Sequence, residues 1–108
     1  MTKLIAFLKS SPRLSREQVI EYYETRHVPL ICSIMPGILD YRRNFLSEPV
    51  GEFDIVTEVT FADQAAFDTA MAAATAAMDK IAEDESNFLD NSVTKLVIAD
   101  ERRGFGRG

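Results

Sequence analysis

Residues 53–61 read FDIVTEVTF, and Phe53, Ile55, Thr57, Val59 and Phe61 fall on every second position. A period of two is the mark of a strand with one face on a core. Before it, Ser47–Glu52 (SEPVGE) is a turn-rich connection. Residues 38–46 (ILDYRRNFL) alternate Leu39, Tyr41, Arg43 and Phe45 against Ile38, Asp40, Arg42 and Asn44, which predicts a second strand. The pair is preceded by the Pro36-Gly37 turn and followed by Asp63, which can cap a helix running to about Glu83. In that helix Phe67, Ala70, Met71, Ala74, Met78 and Ile81 recur at three and four residues, and its many alanines permit close approach to a sheet.

Working outward, residues 3–9 (KLIAFLK) predict the first strand, with Leu4, Ala6 and Leu8 on one side and Ile5 and Phe7 on the other. Both of its faces therefore need apolar cover. Ser10, Ser11 and Pro12 stop it. LSREQV then reads as a helix start: Ser15 caps, Gln18 returns the hydrogen bond, and Leu14 can pack on Val19. At 100° per residue Val19, Tyr23, Arg26 and Leu30 share one side, with Ile20 and His27 on its flank. Pro29 disfavours helical geometry at Val28, so this helix is expected to end near His27. Residues 83–90 (EDESNFLD) read as an acidic link anchored by Phe88 or Leu89, and 93–99 (VTKLVIA) as the last strand.

The order β-α-β-β-α-β predicts an α+β, ferredoxin-like domain, two helices over one face of a four-stranded antiparallel sheet. It spans residues 1–101 as a single domain, followed by a flexible tail over 102–108. The second sheet face is left to be covered, and a homodimer packed sheet to sheet would cover it. In the tail, Phe105 either lies across a partner subunit or frays with its glycines.

Composition narrows the function classes. The 108 residues hold 12 Lys plus Arg against 17 Asp plus Glu, a formal charge of -5, which is the wrong sign for a phosphate-backbone binder; no nucleic acid partner is expected. The apolar run LIAFL between Lys3 and Lys9 is too short for a signal peptide or a membrane span, so the expectation is no membrane and a cytoplasmic protein. The one cysteine, Cys32, excludes an internal disulfide, and a single histidine with scattered carboxylates lacks metal-ligand spacing, so no metal is expected. Gly104, Gly106 and Gly108 follow the last strand and precede no helix, unlike a dinucleotide fingerprint.

His27 is the first candidate for chemistry, because an imidazole titrates near neutrality and can serve as general acid or base. At a helix end it can equally cap the last turn, where the dipole favours its protonated form. Tyr22, Tyr23 and Tyr41 can offer hydroxyls to a phenol, ketone or enol, or simply fill the core. Among the strand carboxylates Asp40, Asp54 and Glu58, Asp54 is a candidate to orient His27, against the alternative that all face solvent. The candidate catalytic set is thus His27, Tyr41 and Asp54, with Tyr23, Ile20, Phe61 and Phe88 as substrate contacts.

FLKSSPRLSREQVIEYYETRHVPLI resembles the opening signature of the EthD family: strand, proline-bearing loop, Leu-Ser, a helix with paired aromatics, then His-x-Pro-Leu. The similarity continues in MPGILDYRR, in FDIVTEVTFADQAAFDTAM and in DESNFLDNSVTKLVIADE, over roughly residues 3 to 101. The resemblance implies the dimeric α+β barrel superfamily, in which two ferredoxin-like sheets pack face to face. That family is named for a bacterial protein required beside a cytochrome P450 system for degrading fuel ethers. Its relatives resemble fungal polyketide dehydratases or decarboxylases, and the wider superfamily includes muconolactone isomerases, polyketide cyclases, quinone-forming monooxygenases and haem enzymes. In this comparison His27 falls on the characteristic histidine and Pro29 on its proline. Asp54 and Phe61 fall on acidic and aromatic strand positions, and Phe88 and Asp90 match the pattern before the last strand. Haem is not expected in so short a chain.

The expected function is a small cofactor-independent enzyme, with no cofactor, acting on a cyclic or aromatic carbonyl compound by general acid-base proton transfer. Isomerase, dehydratase and cyclase chemistries all fit, with a small apolar or aromatic ligand. One alternative is a cofactor-free monooxygenase of the quinone-forming type. The other is a non-catalytic accessory or small-ligand-binding dimer in an oxidative degradation pathway.

Overall fold

The computed structural model describes residues 1–104; the expectation for Phe105 lies outside the described residues. In chain order the elements are β1 (Thr2–Leu8), α1 (Arg16–Tyr22), a π-helical turn (Tyr23–His27), α2 (Val28–Ile34), β2 (Asp40–Val50), β3 (Phe53–Phe61), α3 (Gln64–Ala76), α4 (Met78–Glu85), a 3-10 turn (Asn91–Val93) and β4 (Lys95–Asp100). The strands form one sheet in the order β2-β3-β1-β4, every pair antiparallel. This is the ferredoxin-like α+β arrangement, with the first helix of the βαββαβ order carrying a π turn and the second divided once.

The inner face of the sheet follows from the strand period. Leu4, Ala6 and Leu8 of β1 pair with Val59, Thr57 and Ile55 of β3, so the alternating residues of both strands point to one side. Ile55, Thr57, Val59 and Phe61 are all buried there. The outer face carries Ile5 and Phe7 beside Glu58 and Val56, as the alternation in β1 predicts.

The first helix begins as its residues dictate. Ser15 accepts from the Gln18 backbone N–H (3.2 Å) and its own N–H donates to Gln18 Oε1 (2.8 Å), closing a capping box. Its end is a correction. Instead of stopping near His27 the chain stays helical to Ile34, because the turn at Tyr23–His27 is π-helical and the Val28 N–H reaches back five residues to the Tyr23 carbonyl. The widened turn relieves the clash that a proline ring imposes on the preceding turn, and Pro29 lies in the first turn of α2, where its missing N–H costs least. His27 consequently caps nothing.

The same turn changes which residues face the sheet. The buried row is Val19, Tyr23, His27, Ile31 and Met35, every fourth residue. The expected row placed Arg26 with Tyr23 at 100° per residue, whereas Arg26 is exposed. A wider turn rotates less per residue, so His27 swings into line with Tyr23.

The second helical layer breaks at Ala77 (φ -110°, ψ 19°), dividing α3 from α4. Asp63 caps α3 by accepting from the Ala66 N–H (2.9 Å). The acidic stretch expected to be a link is helical through Glu85, and Phe88 and Leu89 behind it are buried at 0% and 4% exposure. Two apolar clusters result. One gathers Ile31, Met35, Val59, Phe61, Phe67, Ala70, Ala74 and Ile81; the other holds Ala6, Leu8, Val19, Tyr23, Ile55, Phe88 and Leu89.

The capping box is the local feature most easily tested. Ser15→Ala should destabilise the protein by about 1 kcal/mol in urea or guanidinium unfolding, with an unchanged denaturant slope.

Candidate active site

Between the helices and the inner sheet face lies a cavity of about 160 Å³ that touches both clusters. Its floor is Leu4, Ala6 and Leu8 of β1, Thr57 and Val59 of β3 and Tyr41 of β2. Its roof is Tyr23, His27 and Ile31 from the first helix with Met71, Ala74, Ile81 and Glu85 from the second layer. Met78 and Leu96, exposed at 48% and 59%, stand at its mouth. The polar atoms facing this apolar space are few, and apart from Thr94 Oγ1 they group into two sets.

The first set surrounds the imidazole. His27, 4% exposed, presents Nδ1 to Asp84 Oδ2 at 2.8 Å. Asp84 also accepts the Tyr22 hydroxyl on Oδ1 (2.7 Å), and that hydroxyl accepts from Asn87 Nδ2 (2.9 Å). An ionised carboxylate only accepts, so His27 Nδ1 donates and Nε2 carries the lone pair of the neutral ring. Nε2 lies 3.8 Å from Glu85 Oε2, too far for a direct hydrogen bond and close enough for both to meet one reacting group. Phe88 and Tyr23 pack on the imidazole at ring separations of 5.1 and 5.3 Å.

Burial governs the ionisation of both groups. It lowers the His27 pKa from its ordinary value, and the Asp84 hydrogen bond offsets only part of that effect. Burial, then the neighbouring Asp84 charge, pushes Glu85 up to about 7. At neutral pH the site therefore holds an unprotonated imidazole beside a carboxyl group that is half protonated. Proton transfer in either direction is then accessible.

The second set is a cluster of hydroxyls. Tyr23 Oη lies 2.7 Å from Thr57 Oγ1 and 3.1 Å from Tyr41 Oη. Three hydroxyls share two hydrogen bonds, so among the described residues one O–H remains for a ligand oxygen. Burial raises the pKa values of both tyrosines, keeping them neutral donors. Arg43 lies 5.1 Å from the centre of the Tyr41 ring and is held by two bonds to Glu24 of 2.6 and 2.8 Å; its charge offsets only part of the effect of burial on the two tyrosines.

Of the residues singled out in the sequence, the structure brings His27, Tyr23 and Tyr41 together at the cavity. It separates the others. Asp54 accepts the Ser10 N–H (2.8 Å) in a different surface groove, and the partner of the imidazole is Asp84. Ile20 lies in a shallow groove with Glu24 and Arg43. Phe61 is fully buried against Phe67, and Phe88 backs the imidazole without reaching the cavity. Cys32 is exposed. Asp84, Glu85 and Thr57 were missed. Glu85 had a signal: Met71, Ala74, Met78, Ile81 and Glu85 continue one stripe at spacings of three and four, which puts a carboxyl at a core position. Thr57 was the polar member of an apolar row.

Among the described residues no group of three or more His, Cys, Asp or Glu is arranged to hold a metal ion, and no helix is long and apolar enough to cross a membrane.

The opposite shifts of the two groups make stability depend on pH. Glu85 is raised, so its contribution is complete below the ordinary carboxylate value of 4.5 and is lost as pH rises through about 7. His27 is lowered, so its contribution is complete above 6.5 and is lost as pH falls. Glu85→Gln should accordingly stabilise the protein by about 1–3 kcal/mol at pH 9 and have little effect at pH 4, read from unfolding curves at both values.

Comparison with known proteins agrees with this fold. A family model described as EthD domain matches residues 11–92. No curated protein matches the chain. An ethyl tert-butyl ether d (ethd) family protein from Bacillus halodurans C-125 is similar in structure, with TM-score 0.70 at 22% identity over 94% of this chain and 99% of that one. A monooxygenase from the gene ActVA-Orf6 of Streptomyces coelicolor, solved with the ligand Nanaomycin D, is similar with TM-score 0.66 at 13% identity over 99% and 91% of the two chains. SnoaB, a cofactor-independent oxygenase from Streptomyces nogalater, is similar with TM-score 0.63 at 11% identity over 98% and 97%.

Proposed function

The chain belongs to the EthD family, and on that premise we propose that its cavity carries out general acid-base proton transfer on a small cyclic or aromatic carbonyl compound without a resident cofactor. One observation carries the reading: Asp84 holds His27 Nδ1, leaving Nε2 and the Glu85 carboxyl 3.8 Å apart on an apolar cavity. In this scheme Nε2 takes a proton from the carbon next to the carbonyl. The carbonyl oxygen becomes an enolate oxygen and receives the free O–H of the Tyr23–Tyr41–Thr57 cluster. Glu85 returns a proton at a neighbouring atom; after product leaves, the imidazolium gives its proton to solvent and Glu85 takes one up, so both groups end as they began. Isomerisation, dehydration and ring closure all begin with such a step.

Hydrogen-deuterium exchange next to the carbonyl, followed by NMR across a set of cyclic ketones and phenols, tests this directly. The wild-type protein should promote exchange in a bell-shaped pH profile whose alkaline limb falls near 7, where Glu85 loses its proton. His27→Asn and Glu85→Gln should each slow exchange by about 10²- to 10⁴-fold. Oxygen consumption without exchange would replace this reading by the monooxygenase alternative; binding without either would leave the accessory dimer.

The same proposal includes a homodimer. On the outer sheet face Phe7 and Phe53 meet at 5.8 Å, and with Leu46, Val50, Val56 and Val97 they line an apolar groove. Lys95 lines the same groove, its Nζ 5.9 Å from the centre of the Phe53 ring. A second copy packed sheet to sheet would bury this groove, as an apolar patch on so small a protein favours. Val56→Lys should convert a dimer to a monomer by light scattering; an unchanged mass would place the contact elsewhere.

A further inference from the structure

One polar atom on the cavity has no part in the proton-transfer scheme. Thr94, between the 3-10 turn and β4, lines the cavity, and its Oγ1 is buried with no hydrogen-bond partner among the described residues. Each of the other hydroxyls there has a partner, Tyr23 being bonded to both Tyr41 and Thr57. A buried hydroxyl left unpaired costs stability, so its presence at a cavity calls for a ligand atom.

Its position says which atom. Lys95 of β4 pairs with Phe7, which puts Thr94 at the level of Leu8 on the β4 side of the sheet. Thr57 lies on β3 and Tyr41 on β2, on the far side of β1. Leu4, Ala6 and Leu8 form the apolar floor between the two hydroxyl positions. Two strand spacings separate β3 from β4, and Thr94, level with Leu8, lies two residues along from Thr57, level with Ala6, so the two strand positions are about 12 Å apart. A six-membered ring with an oxygen at each end, plus a hydrogen bond of about 2.8 Å at both, spans that distance. The size agrees as well: the cavity measures about 160 Å³, and an apolar cavity of about 150 Å³ holds one benzene.

We propose that Thr94 is a substrate-binding residue and that the cavity takes a single six-membered ring oxygenated at both ends, of the hydroquinone or cyclic-dione class, one oxygen on the Tyr23–Tyr41–Thr57 cluster and the other on Thr94 Oγ1. This rests on the reading of the cavity as a substrate site. It adds a specificity that the acid-base groups do not supply, because His27 and Glu85 act on either class of ring.

Phenol and hydroquinone, titrated anaerobically into the full-length protein by calorimetry, separate the two oxygens. Wild type should bind hydroquinone about tenfold more tightly than phenol, the worth of one added hydrogen bond. Thr94→Val, which keeps the shape and removes the hydroxyl, should abolish that preference and leave phenol binding unchanged; Thr94→Ser should retain it. Without ligand, Thr94→Val should also melt higher than wild type by about 4 °C, since an unpaired buried hydroxyl is gone. A preference for hydroquinone that survives in Thr94→Val overturns the proposal, and so does a lower melting temperature, which would mean the hydroxyl is already satisfied. Failure of wild type to bind either ring overturns the substrate class, while deuterium exchange with other ketones decides the acid-base reading separately.

Discussion

The hydrogen bond from His27 Nδ1 to Asp84 Oδ2, 2.8 Å long, joins the two helical layers at the one place where both must be aligned to make a site. It ties the π-helical turn of the first helix to the last turn of α4 across 57 residues of sequence. Asp84 is itself secured by the Tyr22 hydroxyl, which Asn87 holds in turn, so the carboxylate that orients the ring has little freedom to leave it. With Nδ1 committed, the ring has one remaining nitrogen, and the Glu85 carboxyl is the ionisable neighbour 3.8 Å from it.

The surroundings that hold this pair also tune it. Apolar packing on every side, from Phe88 and Tyr23 behind the imidazole to Ile81 and Met71 around the cavity, favours neutral forms of both groups. Asp84 is the compensating charge for the imidazole, and the same charge disfavours ionisation of the adjacent Glu85. One carboxylate thus acts on two neighbours in ways that leave a base and an acid side by side near neutral pH. The cavity is lined by residues of both core clusters, with His27 and Glu85 on its helical side and the Thr57 and Tyr41 hydroxyls on the sheet.

The fold was legible because its signals are local and periodic. The alternation in residues 53–61 placed β3 at its observed bounds, and Ser15 and Gln18 marked the helix start that their reciprocal bonds make. The helix end was not legible, because the restriction at Val28 before Pro29 assumes ordinary helical spacing and the π turn removes that assumption. The same wide turn moved His27 from the flank into the buried row. His27, Tyr23 and Tyr41 could be chosen from residue type and face. Asp84 could not, since no periodic pattern links it to a residue so far away in sequence. Asp54 was chosen on its strand, whose register sends it to the Ser10 N–H at the other end of the domain.

The central claim is that Asp84 fixes a neutral imidazole with its lone pair toward a carboxyl that titrates near neutrality. The chain has one histidine, so nitrogen-15 NMR across pH reads His27 without ambiguity, and carbon-13 labelling of glutamate side chains reads Glu85 once its signal is assigned by its loss in Glu85→Gln. The account predicts a neutral ring protonated at Nδ1 above pH 6.5, and a Glu85 carboxyl that titrates near 7 and perturbs the Nε2 signal as it does so. An imidazole that carries its proton on Nε2, or a Glu85 that titrates at the ordinary carboxylate value of 4.5, would contradict it.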